Sequence, residues 1–544
     1  MTPSNPPVLS TPGGWEELLR PERRSSLEAV LPGYIAPRRW FGAKTQQIDA
    51  ARIVDFIALP TDAGGAYLTL VRLRYATGGG DTYAVPLLRV PEAEARRWLD
   101  ERPHGVVARV EAGDGAGLIV DALFAPAFCA ALLDLIAQGR SVPGEAGELR
   151  ATPTAAFARL RGDPGEPLAP KVGAAEQSNT SVIFGDRLIM KLFRKVEPGI
   201  NPDLEIGRFL TERAAFAHSP PTAGTIEYRA PGSEPVSLAL LQGFVPNQGD
   251  AWSYTLREIA ASFGRALEGR AAPPDVSGPQ PSLLELAGRE PPPAAAETLG
   301  GFLTPAALLG RRTAELHRAL AADAGDPAFA PEPFDDAQRE ALSRTLRGRA
   351  GRSFEALRAR VGDLPEQLRG DGRQILAAEG AITGRLGGAL ARPLAALRTR
   401  IHGDYHLGQV LFTGEDFFII DFEGEPARPL AERRVKSSPL QDVAGMLRSF
   451  HYAPYAVLLG QAPGVQWSPE QQRALAPWAR EWQRWASAAF LRSYLAELGP
   501  SPLIPGDPAE LGALLDTYLL DKALYELAYE LNNRPDWAGI PIEG

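Results

Sequence analysis

A single cysteine, Cys129, stands among 544 residues, so an internal disulfide framework is excluded and a reducing compartment fits the chain. Positive charge is also short. The 57 Lys and Arg against 66 Asp and Glu leave a net charge of −9, which argues against a non-specific nucleic-acid binder. No window approaches the roughly 20 apolar residues that span a bilayer, and the polar, Pro-rich opening lacks the apolar core of a secretion signal. Neither an internal repeat nor a G-x-G-x-x-G loop is present. What is there, 44% hydrophobic and 23% charged, is the balance of an ordinary globular chain, long enough for roughly two to four domains. The expected setting is cytoplasmic, without nucleic acid or membrane as partner, and either monomer or homodimer.

Hydropathy periods divide the chain. Residues 1–13 read as an unstructured lead, followed by a helix around Trp15–Leu31 and then Arg38–Lys44, RRWFGAK. From Ile48 to Val90 apolar and polar residues alternate between Gly/Asp-rich turns, the period of half-buried strands. A helix is expected at Ala125–Ala137. A second strand cluster follows, with a hairpin turning at Gly185-Asp186, a helix at Asp203–Ala214, and strands at Thr225–Tyr228 and Val236–Phe244. Beyond Ala251 the chain reads almost wholly as helix. Residues 271–297 and 321–399 read as extra segments, with a helical pair in 341–399. The expected division is a cap at 1–95, an intermediate region at 96–248 that carries nucleotide-binding strands, and a helical region at 249–544.

The stretch 402–424, HGDYHLGQVLFTGEDFFIIDFEG, carries the chemistry. Asp404 follows a glycine that permits tight backbone geometry. Gln409 comes five positions later, and Asp421 ends an apolar strand, Phe417–Ile420. A phosphotransferase needs this order: an acid to orient or accept the proton of the acceptor hydroxyl, then an amide and a carboxylate to hold Mg²⁺ against ATP phosphates. His402 and His406 do not complete a zinc site, because no third or fourth ligand accompanies them. His402 is expected to bond the loop backbone, and His406 to support the loop or touch substrate. Ser438-Pro439-Leu440-Gln441 reads as a capping box, opening a helix whose Asp442 braces the catalytic loop.

Nucleotide contacts come from upstream. Lys191 lies inside an apolar strand, where an ammonium is costly unless a carboxylate or phosphate compensates it. A lysine snorkelling to water is the plainer reading, and the downstream acids favour the functional one. Glu205, on the next helix, is its expected ion-pair partner. The polar turn holding Ser178, Asn179 and Thr180 stands where phosphates would be covered, and Gln242 to Phe244 where adenine would meet backbone groups.

HGDYHLGQVL, IIDFEGEPARPL, VKSSPLQDVAGMLRSF, RRWFGAK and ALYELAYELNNRPDW together resemble the bacterial maltokinase family, within the aminoglycoside phosphotransferase and choline kinase group. That resemblance covers most of the chain. It implies an α+β, bilobal, eukaryotic protein kinase-like fold with an N-terminal α+β cap and a mainly helical C-terminal lobe. It implies the reaction ATP + maltose → ADP + maltose 1-phosphate, feeding α-glucan (glycogen) synthesis, with Asp404 as base and Gln409 and Asp421 on Mg²⁺. Candidate sugar contacts are His406, Glu423, Arg433, Lys522, Tyr525, Glu526 and Tyr529. The last four share one side of a C-terminal helix at Leu511–Asn532, with Leu520, Leu524, Leu527 and Leu531 opposite. The rivals are a kinase of another small substrate, such as an aminosugar or aminoglycoside, and a pseudokinase-type binding module. A cation in the substrate pocket favours a neutral sugar, whereas an acid cluster there favours an amine.

Overall fold

The computed structural model describes residues 6–61, 64–173, 178–269, 274 and 280–543. The chain divides into two compact units, Met1–Glu212 with Pro220–Pro246, and Arg213–Ser219 with Asn247–Gly544.

The first unit holds two seven-stranded sheets. In one, Ile48–Thr61, Gly64–Tyr75 and Thr82–Pro91 form a meander, continued by Gly115–Asp121 and Val106–Ala112. Alternating burial along Ile48–Thr61 shows why these residues make strand: every second side chain enters a core. One face packs on Trp15, Leu27, Leu31, Trp40 and Phe41, and the other on the helix Pro126–Ala137. Val8–Thr11 pairs in parallel with Val106–Ala112, so part of the lead expected to lack structure is an edge strand. The expected helix at Trp15–Leu31 is broken into a 3-10 turn, Trp15–Leu19, and a helix, Arg24–Ile35.

The second sheet runs Ser141–Pro143, Glu148–Pro153, Thr222–Arg229, Val236–Gly243, Leu188–Phe193, Asn179–Phe184 and Pro170–Val172. The hairpin turns at Gly185, whose φ of +59° suits glycine. Past Phe193 the lysine-bearing strand crosses over: Lys195–Val196 pairs with Thr82–Pro91 of the first sheet.

The second unit is helical. At its centre Leu440–Leu458 buries every residue except Gln441 and Tyr455, as an element packed on all sides must. Around it lie Ala251–Leu267, Leu303–Leu320, Pro469–Leu498 and Pro508–Asn533. The expected capping box is not formed: Ser438 Oγ accepts from Leu440 N at 3.3 Å, while Gln441 takes a bond from Ser437 Oγ at 2.8 Å. Where a helical pair was expected, three helices occur, Asp336–Arg360, Glu366–Ala377 and Glu379–Gly388, the first break falling near Pro365. Short helices Leu283–Ala287 and Pro293–Leu299 occupy part of the Pro-rich segment, whose residues 271–273 and 275–279 lie outside the described set. Among the described residues no helix is long and apolar enough to cross a membrane.

Candidate functional site

The catalytic-loop candidate is held from beneath. Asp442, 1% exposed, accepts from His402 N at 2.7 Å and Gly403 N at 2.9 Å, and meets His317 Nε2 at 3.2 Å. The bracing role expected of Asp442 is therefore seen. Gly403 is left-handed, φ +83°, and a Cβ there would lie 3.3 Å from Gly424 Cα, so the loop needs glycine for both angle and space. Helix Leu440–Leu458 approaches as closely: a Cβ at Gly445 would meet Tyr405 O at 2.5 Å. His402 bonds backbone, as expected. Its Nδ1 accepts from Asp404 N at 3.4 Å, which leaves Nε2 to donate to Ile420 O at 2.9 Å. One imidazole thus spans the loop and the residue before Asp421.

Gln409 and Asp421, twelve positions apart, meet through a hairpin. Val410–Phe412 pairs with Phe417–Ile419, and Ile420 N donates to Gln409 O at 3.0 Å. Both side chains accordingly leave the open end of one ribbon. Asp421 sits at φ +67°, a region that costs a non-glycine residue about 1–2 kcal/mol. A carboxylate oxygen of Glu423 lies within 4.8 Å of one on Asp421. Gln409, Asp421 and Glu423 offer only oxygen donors, the set that suits Mg²⁺.

Charged groups surround Asp404. Lys522 Nζ lies 3.7 Å from Asp404 Oδ1 and 5.0 Å from the centre of the Tyr525 ring. His406 Nδ1 accepts from Gly408 N at 3.0 Å, turning Nε2 toward Asp404 Oδ2 at 4.0 Å. Burial holds the His406 pKa below its usual value; Asp404 opposes that shift, and Lys522 adds to it. A small cavity joins Asp404, Tyr518, Asp521, Lys522 and Tyr525. A larger one, 580 Å³, shares Arg349, Gly403, Glu425 and Arg428 with it, and its size is ample for a small sugar. The acids here are matched by cations: Glu425 by Arg428 at 2.7 Å, and Asp521 by Arg349 at 3.0 Å. Burial raises the Asp521 pKa and Arg349 works against the shift.

Three further expected sugar contacts have protein partners, and one of them, Arg433, also lines the larger cavity. Glu526 is bound to Arg448 at 2.7 Å, so its carboxylate is already engaged within the helical unit. Tyr529 is 45% exposed, stacked on Tyr525 and capped by Arg534 at 5.6 Å. Arg433 donates to Arg428 O at 2.8 Å and lies 4.0 Å from Glu423. Arg349 and Asp521 escaped the sequence reading. Asp521 carried a signal, an acid on the same stripe as Leu514, Tyr518 and Leu524. Arg349 carried none, because its contact depends on a helix 170 residues away.

In the first unit, Lys191 is hydrogen-bonded at 2.9 Å to Asp203. Asp203, two positions before the expected Glu205, is a carboxylate that meets it. The helix begins at Pro202, so Asp203 lies in its first turn and is buried, with Asn201 Oδ1 accepting from its N–H, while Glu205 is half-buried. Ser178 is exposed and Asn179, which opens the strand Asn179–Phe184, is half-buried, while residues 174–177 before them lie outside the described set. Thr180, expected beside them as a phosphate contact, faces inward: it is 8% exposed and accepts from Arg194 Nε at 2.8 Å. Gln242 lies within a central strand, paired to Ile189 and Thr222. Phe244, in the stretch expected to meet adenine through backbone groups, donates its N–H to Arg187 O at 2.8 Å.

Comparison with known proteins sets this geometry in a family. Residues 34–124 match the maltokinase N-terminal cap domain, and residues 171–451, over half the chain, match the phosphotransferase enzyme family. The chain is 26% identical over 475 residues to the glucosamine kinase of Streptacidiphilus jiangxiensis, spanning 85% of this chain and 87% of that protein. It is 27% identical over 375 residues to the glucosamine kinase of Mycolicibacterium smegmatis (strain ATCC 700084 / mc(2)155), spanning 67% and 76%. The fold is similar to that of a glucosamine kinase solved in complex with glucosamine, ADP and inorganic phosphate, with a TM-score of 0.58 at 20% identity, covering 94% of this chain and 97% of that one. A second crystal form of glucosamine kinase gives 0.60 at the same identity and coverage. The chain belongs to the phosphotransferase enzyme family, with the α+β kinase-like fold, a maltokinase-type cap and a hydroxyl group as phosphate acceptor.

Proposed function

We propose that the protein is an ATP-dependent sugar kinase whose acceptor is maltose, phosphorylated at its anomeric hydroxyl, with maltose 1-phosphate passing to α-glucan synthesis. The acceptor class rests on one observation: Lys522 holds its ammonium 3.7 Å from Asp404. A cationic substrate would have to approach that lysine closely, at a Coulomb cost that a neutral sugar avoids. Arg349 and Arg428 already neutralise Asp521 and Glu425, the acids beside Lys522 in the cavity, which lowers the attraction for an amine.

In this reading Asp404 orients the acceptor hydroxyl and takes its proton as the new O–P bond forms and the bond from the γ-phosphorus to the bridging oxygen breaks, releasing ADP. Asp442 and His402 fix the loop so that the carboxylate is in place before substrate arrives. Lys191, aimed by Asp203, neutralises phosphate oxygens of ATP, and Ser178 and Asn179 add polar contacts. Gln409 and Asp421, with Glu423, would hold Mg²⁺, which when bound supplies further neutralisation of phosphate charge.

A second reading, a glucosamine kinase, is favoured by the activity named for the relatives. Both are tested by one panel: purified protein, Mg²⁺ and ATP with maltose, glucose, trehalose and glucosamine, following ADP release and product by phosphorus NMR. The expected result is highest kcat/KM with maltose and a phosphorus signal coupled to an anomeric proton. Preference for glucosamine, or phosphate on a primary hydroxyl, overturns the maltose reading. Absence of turnover with every sugar overturns the sugar-kinase reading and favours another small acceptor or a binding module.

A further inference from the structure

Arg194 is a fully buried cation, 0% exposed, three residues beyond Lys191 and just past the end of the same strand. It reaches in four directions, one of them from NH1 to Ala84 O at 3.4 Å. NH2 donates to Asp121 Oδ2 at 2.7 Å, and that acid, 0% exposed, also takes the Tyr34 hydroxyl at 2.8 Å. The guanidinium lies over the Trp40 ring, 5.0 Å from its centre. Nε donates to Thr180 Oγ1 at 2.8 Å. Trp40 belongs to RRWFGAK, a motif the reaction itself does not use, and Tyr34, Trp40 and Asp121 all lie in the stretch matched to the maltokinase cap. Thr180 is the second residue of the strand that leaves the polar turn carrying Ser178. The backbone repeats the connection, since Ala84 N donates to Arg194 O at 2.8 Å and the next two residues join the cap sheet.

We propose that Arg194 is a positioning residue for nucleotide binding, through which the cap sets the strand that starts beside Ser178 and the strand of Lys191. The physical argument is economy of partners. A buried guanidinium must be neutralised and must place its donors. Asp121 supplies the charge, and the Trp40 face a broad surface that fixes the plane. With its plane fixed from the cap side, Nε has one direction in which to hold Thr180. Cap and strand Asn179–Phe184 therefore share one rigid group rather than a flexible contact. This rests on the reading that Lys191 and the turn at Ser178 handle ATP phosphates.

The test uses the full-length protein. Thr180→Val keeps shape and removes the acceptor, Thr180→Ser keeps the hydroxyl, and Trp40→Phe keeps an apolar ring while narrowing the face beneath Arg194. Affinity for a fluorescent ADP analogue without sugar, KM for ATP, KM for the acceptor and the melting temperature are measured together. Losing a bond from a charged donor should weaken nucleotide affinity and raise KM for ATP about fivefold or more in Thr180→Val, with acceptor KM changed less than about twofold. Thr180→Ser should restore most of the affinity. Trp40→Phe should shift it in the same direction by less, and the Trp40→Phe/Thr180→Val double variant should fall short of the product of the two effects. A folded Thr180→Val protein with nucleotide affinity near wild type overturns the proposal, as does a melting-temperature loss with no split between the two KM values. Lys191→Met separates the underlying reading: unchanged nucleotide affinity there removes ATP from this sheet and the proposal with it. Weakened binding in Lys191→Met beside an unaffected Thr180→Val removes the proposal alone.

Discussion

Asp121 and Asp442 are buried alike, 0% and 1% exposed, and each lies beneath a segment assigned to chemistry, yet they are neutralised by different means. Asp121 faces a guanidinium and a phenol, with Leu123 N–H as its backbone donor. Asp442 faces two backbone N–H groups of the catalytic loop and a histidine. An arginine brings a permanent charge, so the Asp121 cluster is satisfied whatever the neighbouring turn does. The Asp442 carboxylate is satisfied only when residues 402 and 403 take the observed conformation, so loop geometry and acid solvation become one condition. The first arrangement serves rigidity, and the second makes a particular loop shape the cheapest one.

The variants that test this contrast run from large to small effects. Asp404→Asn should cost about 10²–10⁴ in kcat while leaving nucleotide affinity near wild type, which fixes the scale against which loop support is read. Nucleotide affinity lost in proportion to rate would count against its assigned role. Arg194→Met should cost stability above all, about 3–5 kcal/mol by denaturant titration, because it strands Asp121 in the core. Asp442→Asn turns one acceptor into a donor facing loop N–H groups. A kcat loss of about 10–100-fold with a smaller stability change is expected from steady-state kinetics and melting curves. If Asp442→Asn proved as destabilising as Arg194→Met, the contrast would fail.

The smallest effect concerns pH. His451, on the same helix as Asp442, is held well below its usual pKa by burial, with Arg448 adding to the shift. The unfolded chain takes up a proton at this residue near pH 6.5, as a free histidine does, while the folded chain does not. Stability should therefore fall as pH drops below about 6.5 toward the lower folded-state pKa, and His451→Gln should flatten that slope. A permanently charged arginine confers no such dependence in this range.

How far the sequence could be read follows from where its information is local. The 402–424 stretch was legible as local structure because amide, apolar strand and acid lie in or beside one short hairpin, so sequence spacing and spatial neighbourhood coincide. Asp203 was missed in favour of Glu205 because a helix start cannot be located to within a residue, and one residue rotates the inward face by about 100°. Thr180 was misjudged by the other period: polarity suggested the surface, while strand alternation points it inward to Arg194. Val8–Thr11 looks unstructured because its partner strand begins about a hundred residues later. Arg349 and Asp521 meet only after two distant helices have packed. Local periods, in short, reveal elements, while charge partners across long separations stay hidden.

The left-handed backbone at Asp421 has a practical consequence. A screen for thermal robustness would reward glycine at that position, since glycine relieves the unfavourable angle without altering the ribbon that precedes it. The variant it selected would be a sturdier protein with one fewer carboxylate in the set proposed for Mg²⁺, so heat tolerance and turnover should part company at this residue.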